Sequence, residues 1–243
     1  MKKVAFITGG NRGIGFETAK ALGAEGVRII IGCRDAIKGQ AAAKSLQDLG
    51  FEADSIVYDA EDSKAPEMVY QQIEKNYGAL DILVNNAGMI KEDLIGSNTT
   101  SSIAQSVLKD TFQTNFFAVV ALTQKLLPLL MKSTAGRIVN LSSIVGSLGI
   151  QSLENSPVEP AKAFAYNASK TALNAFTVHL AHELKDTHIK VNSAHPGWVK
   201  TELGGPYAPM EIADSYKTSL RLATLDKHGP TGGFFHEADT LPW

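Results

Sequence analysis

The chain has 243 residues, 44% of them hydrophobic and 20% charged, which suits one folded domain with a sizeable buried core. Its net charge of −2 offers no broad basic field for nucleic acid or an anionic membrane. The single cysteine, Cys33, excludes an intramolecular disulfide and a thiolate zinc site, and suits a reducing cytoplasm.

The first apolar run, VAFIT at 4–8, reads as a buried strand. The opening MKKVAFITGG has too short an apolar stretch for a signal peptide and lacks a small-residue cleavage site. Directly after it comes TGGNRGIG, four glycines and an arginine within eight residues, which opens a helix over 14–25. Glycines at 9, 13 and 15 let backbone N–H groups and a helix N-terminus face a pyrophosphate. The spacing G-x-x-x-G-x-G differs from the G-x-G-x-x-G dinucleotide fingerprint, and a tight strand–helix connection would use similar residues.

Further apolar runs follow at 27–33, 54–59, 81–86, 136–142 and 189–195, with helical patterns near 36–49, 63–76, 101–132 and 163–185 between them. Strands that are apolar without alternation are buried on both faces. Strand and helix alternating at this spacing predict right-handed crossovers: an α/β fold, a single doubly wound parallel sheet with helices on both faces. Runs such as FFAVVALT are too short to span a bilayer. Residues 147–162, rich in Ser, Gly, Pro and Asn, read as a loop, 203–220 as a helical lid, and 232–236 as one last strand. No linker appears, so 1–243 reads as one domain. Ligands of such folds bind beyond the carboxyl ends of the strands, where the unusual residue clusters fall.

TGGNRGIG, LVNNAG (83–88), GRIVNLSS (136–143), YNASK (166–170) and HPGWVKT (195–201) together resemble the short-chain dehydrogenase/reductase family, in the family's order over about residues 3–201. TNFFA, the loop before Tyr166 and the ending GPTGGFF…PW resemble its carbonyl-reductase-like branch. The resemblance implies a Rossmann-like oxidoreductase acting on CH–OH or C=O with a nicotinamide dinucleotide. The turn contributes Gly9, Asn11, Arg12, Gly13, Ile14 and Gly15. Asp59 resembles the acid at the adenine, with Ala60 beside it. Asn86, Ala87 and Gly88 resemble the turn past the adenosine ribose, whereas Asn85 reads as a tie between loops. Pro196, Gly197, Val199 and Thr201 match the segment lining the nicotinamide.

The dinucleotide is read as NADPH. Cys33, small and neutral at the second strand's end, leaves room for a 2′-phosphate, and Arg34 and Arg12 can converge on it with planar, charge-assisted hydrogen bonds. Asp35 is the rival ribose-binding acid of an NAD enzyme. It falls past the strand end before AIKGQAAAKSL and reads as a helix N-cap.

Tyr166 and Lys170, four apart on a helix, share one face. A phenol near pKa 10 is a sluggish acid at neutral pH, and an ammonium held close is expected to lower it. Tyr166 would protonate a carbonyl oxygen as hydride reaches the carbon, Ser143 would hold that oxygen, and Lys170 would also hold the nicotinamide ribose. The family motif places the active hydroxyl second in the Ser142–Ser143 pair. Asn115, in TNFFA, resembles the residue that orders a water between Lys170 and solvent. More residues separate Ser143 from Tyr166 than in plain family members. The extra segment would cover either the active-site mouth or the face used for oligomerisation, so monomer and homo-oligomer both stay open.

His179, His182 and Glu183 match neither H-E-x-x-H nor H-x-x-E-H and, nine residues from Lys170 to His179, face about 180° around the helix from the chemistry, so no metal is expected. His195 reads as a structural residue at a strand end. Ile90, Ile144 and Trp198, with Met89, Val145 and Leu203 to Met210, are candidate substrate walls. Bulky and mostly apolar, they suggest a neutral hydrophobic ketone or aldehyde as the partner. The alternatives are an NAD(H)-linked alcohol dehydrogenase of the same family and a non-catalytic NADPH-sensing regulator.

Overall fold

A computed structural model describes residues 2–96 and 98–243. The strands are β1 (Val4–Thr8), β2 (Arg28–Cys33), β3 (Ala53–Val57), β4 (Ile82–Asn85), β5 (Arg137–Leu141), β6 (Lys190–Ala194), β7 (Phe234–His236) and β8 (Asp239–Thr240). They form one sheet in the order β3-β2-β1-β4-β5-β6-β7-β8. All neighbours are parallel except β8, which turns back antiparallel on β7. The strand order reverses between β1 and β4, which opens a crevice above their carboxyl ends.

The helices are α1 (Gly13–Ala24), α2 (Ala36–Asp48), α3 (Ala65–Tyr77), α4 (Gln105–Phe112), α5 (Ala118–Met131), α6 (Leu148–Gln151), α7 (Phe164–Glu183) and α8 (Lys217–Ala223). The sheet's two faces carry separate cores. On one, Phe6, Ile30 and Leu83 pack against Val69 and Ile73 of α3, Leu126 of α5 and Leu180 of α7. On the other, Ile7, Ile29 and Val84 pack against Leu22 of α1, Leu46 of α2 and Leu222 of α8. This double burial is why the strands show no polar alternation.

Three expectations change. The helix expected over 101–132 begins at Gln105 and is interrupted by a π-helical turn at Gln113–Phe117, where an extra residue is accommodated around the fully buried Asn115. The combined helical stretch Gln105–Met131 is long and apolar enough by composition to cross a bilayer, contrary to the reading of its short runs. Its Leu122, Leu126, Leu129 and Leu130 are instead fully buried in the core, which accounts for that apolarity. The lid of 203–220 is shorter: Thr218 and Ser219 of α8 are buried beneath the sheet, and only the preceding residues border the crevice.

Candidate active site

The crevice at the reversal of strand order is a cleft of about 1050 Å³, at the upper end of small-molecule sites and roomy enough for a dinucleotide with a second ligand. Its floor is the glycine turn. Gly9 and Gly13 have φ of +63° and +55°, which favours glycine. A Cβ on Gly15 would lie 2.5 Å from both the Asn86 amide nitrogen and the Gly9 carbonyl, so the turn packs too closely for a side chain. Asn86 donates from Nδ2 to the carbonyls of Thr8 (2.8 Å) and Gly9 (3.2 Å), tying the turn to β4. Asn85 is buried in the sheet, donating to Thr123 and Asn140. No side chain caps α1 and no acid sits in its first turn, so its N–H groups are free of an internal anion. These features fit a pyrophosphate.

Cys33 and Arg34 line the cleft where β2 ends. Asp35 caps α2, its Oδ1 accepting from the Lys38 N–H at 3.1 Å. The Lys38 side chain also lines the cleft, 3.9 Å from the Asp35 carboxylate. It was missed in the sequence, although it falls in the first turn of the helix that Asp35 caps. Arg12 pairs with Glu202, a cleft residue from the segment beyond Thr201 that spacing did not single out. Arg34 has no ion-pair or hydrogen-bond partner among the described residues. Asp59 borders the cleft with Ala60, its Oδ1 accepting from the Glu61 N–H at 3.0 Å. Asn11, Ile14, Ala87, Gly88, Pro196, Gly197, Val199 and Thr201 also reach the wall.

Tyr166, Lys170 and Ser143 meet at the inner end. Tyr166 and Lys170 are buried on one face of α7, with Lys170 Nζ 5.6 Å from the centre of the Tyr166 ring and donating to the Leu141 carbonyl at 2.8 Å. The turn carrying Ser143 lies against α7 so closely that a Cβ on Gly146 would be 2.8 Å from the Lys170 Cβ. Thr171 donates to the Gly146 carbonyl (2.9 Å), and the Ile144 N–H donates to His195 Nδ1 (3.3 Å). Both serines of the pair border the cleft, but Ser142 turns its hydroxyl to the Lys170 carbonyl, whereas the Ser143 hydroxyl bonds the Tyr166 phenol.

The electrostatics correct one expectation. Burial pushes the Tyr166 phenol up to about 12, with the Ser143 hydroxyl pulling it partly back. Lys170 Nζ lies over the ring, 5.6 Å from its centre, and desolvation by burial dominates the shift. Burial takes Lys170 down to about 8. Burial, then neighbouring His236, takes His195 down to about 3, so it is a neutral imidazole that accepts on Nδ1 and carries its proton on Nε2.

Asn115 does not open on the cleft. Its Oδ1 accepts from the Met89 N–H (2.8 Å), and its Nδ2 donates to the Met89 carbonyl (2.9 Å) and Ser169 Oγ (3.0 Å). Both amide hydrogens are therefore spent on tethering the segment after β4 to α7. Glu92, another residue the motifs did not reveal, accepts from the Tyr166 N–H at 3.1 Å. Ile144 and Trp198 line the outer lobe with Leu94, Ile95 and Val158. Ile90 does not reach it. It packs sideways into the cluster of Val145, Val158 and Tyr166, and Met89 takes its place at the wall. The segment before Tyr166 covers the mouth, with Pro157, Val158 and Pro160 as one side. His179, His182 and Glu183 are exposed on α7 and lie outside the cleft.

A family model described as short chain dehydrogenase matches residues 3–211. The chain belongs to the short-chain dehydrogenase family. It is 30% identical to carbonyl reductase (NADPH) 1 of Homo sapiens, over 99% of this chain and 98% of the human protein. It is also 30% identical to salutaridine reductase of Papaver somniferum, over 99% and 96% of the two chains. The NADPH-bound carbonyl reductase from chicken fatty liver superposes with a TM-score of 0.84 at 26% identity, covering all of this chain and 99% of that one. These relatives place the chain in the carbonyl-reductase-like branch of the family, as a nicotinamide-dependent oxidoreductase.

Proposed function

We propose that the protein is an NADPH-dependent carbonyl reductase for neutral, hydrophobic ketones or aldehydes. The observation that carries this reading is the convergence of Tyr166, Lys170 and Ser143 between a glycine cradle and an apolar lobe of the same cleft. When bound, the reduced cofactor supplies the hydride.

The chain's own residues do the rest. The bare α1 N-terminus and Gly9, Gly13 and Gly15 receive the pyrophosphate. Arg34, Arg12 and Lys38 line the same cleft as Cys33 and supply positive charge that suits a 2′-phosphate. The one carboxylate at the fingerprint distance, Asp35, is engaged as a helix cap, which weighs against the NAD-linked reading. Ser143 holds the carbonyl oxygen. Tyr166 remains a phenol at neutral pH and so carries the proton that oxygen needs. Lys170, ammonium at neutral pH, lies against the phenol ring and beneath Gly88 to hold a ribose hydroxyl. The intact trio weighs against a purely sensing role.

Among the described residues, the outer lobe carries no unpaired cation for a substrate acid. Lys91 pairs with Asp110 and Lys200 with Glu211, and neither lines the cleft. This supports a neutral substrate. Reduced-nicotinamide absorbance with NADPH and NADH across aryl ketones and acyl-carrier thioesters tests the proposal. Turnover of the ketones with an NADPH preference is expected, and activity confined to the anionic or carrier-bound compounds refutes it.

A further inference from the structure

Helix α7 carries the phenol and the ammonium, yet it lacks a cap of its own. Its N-cap position is Ala163, and its first turn contains no acid. The leading N–H groups of a helix have no internal partner and concentrate positive partial charge. One of them, the N–H of Tyr166 itself, donates to the Glu92 carboxylate, 74 positions away in sequence.

Glu92 belongs to the segment after β4, which is fixed at three points. Asn115 grips both the N–H and the carbonyl of Met89, Lys91 pairs with Asp110 of α4, and Glu92 reaches α7. Only the third attachment touches the residue with the phenol. Two positions further on, Leu94 packs into the cluster that contains Tyr166 and also lines the outer lobe. The carboxylate thus links an apolar wall of the cleft to the backbone of Tyr166.

We propose that Glu92 is a positioning residue: its carboxylate caps α7 from outside and sets the phenol of Tyr166 relative to the substrate wall. The inference rests on reading Tyr166 as the proton donor. Misplacing a reacting group by about 1 Å can cost on the order of 100-fold in rate. The partial displacement left by losing one carboxylate contact costs less.

The test compares E92A and E92Q with the wild type in kcat, KM for an aryl ketone, and the NADPH dissociation constant. For E92A, kcat is expected to fall about fivefold to tenfold, with KM and NADPH affinity within about twofold. Glutamine keeps an acceptor at the same reach, so E92Q should stay within about threefold of wild type. A kcat for E92A within twofold of wild type overturns the proposal. So does a loss shared equally by E92Q, or one carried mainly by NADPH affinity. Should E92A not fold, E92D, whose carboxylate is withdrawn by one methylene, takes its place with the same outcomes. Y166F in parallel separates the two readings: full activity there removes the proton-donor assignment, whereas an inactive Y166F beside a fully active E92A removes only the role of Glu92.

Discussion

Arg34→Ala probes the choice of dinucleotide most directly. Three cations, Arg12, Arg34 and Lys38, line the cleft that the end of β2 borders, but they are not equally available. Arg12 is paired with Glu202, and Lys38 leans toward Asp35 at 3.9 Å, whereas Arg34 has no partner among the described residues. A hydrogen bond to a charged group contributes about 1.5–3 kcal/mol. In an exposed cleft with two cations remaining, the lower end applies, so R34A should raise KM for NADPH by roughly tenfold. NADH lacks the 2′-phosphate, and its KM should hardly move. Arg12 must give up Glu202 to reach a phosphate, and an exposed ion pair is worth about 0–1 kcal/mol. R12A should therefore cost less than R34A, and E202Q should tighten NADPH by about twofold to fivefold. Steady-state reduced-nicotinamide absorbance at several salt concentrations measures all three, with the R34A effect shrinking as salt screens the phosphate. Equal effects of R34A on NADPH and NADH, or no effect on either, would refute a 2′-phosphate contact at this position.

Two further outcomes follow from the geometry. Gly15→Ala places a methyl 2.5 Å from the Asn86 amide and the Gly9 carbonyl. Such overpacking should cost about 1–3 kcal/mol, roughly 3–10 °C in Tm by calorimetry, along with most dinucleotide affinity; an unchanged Tm would show that the turn can relax. For pH, burial holds Lys170 near 8, below the usual lysine value, so its charged form dominates at neutral pH and is lost as pH rises through about 8. Since kcat/KM reports the free enzyme, its value for NADPH should fall on the alkaline side with a midpoint near pH 8. The same limb surviving in the residual activity of K170M would assign it to another group.

Much of the site was legible along the chain because its parts are local. The glycine turn needs close approach by neighbours in sequence, Tyr166 and Lys170 share a helix face through a spacing of four, and the uniform apolarity of VAFIT and RIIIGC announces strands buried on both sides. These patterns are set by backbone geometry and helical period. Other features depend on contacts between distant segments. Asn115 is inward and spent on Met89 because of a π-helical turn that composition does not signal. Ile90 loses the substrate wall to Met89 because that segment is anchored from three sides. The Tyr166 proton is held more tightly than an adjacent lysine suggests, because desolvation is a property of the packed interior. Glu92 on α7 and Glu202 on Arg12 join residues 74 and 190 positions apart. The sequence therefore determined the family, the strand–helix alternation, the glycine turn and the shared helix face of Tyr166 and Lys170, whose signals lie within a turn or a strand. The tertiary structure alone decided which charges are paired, which residues line the cleft and which carboxylate the Tyr166 N–H meets, since those depend on segments that meet only when the sheet is assembled.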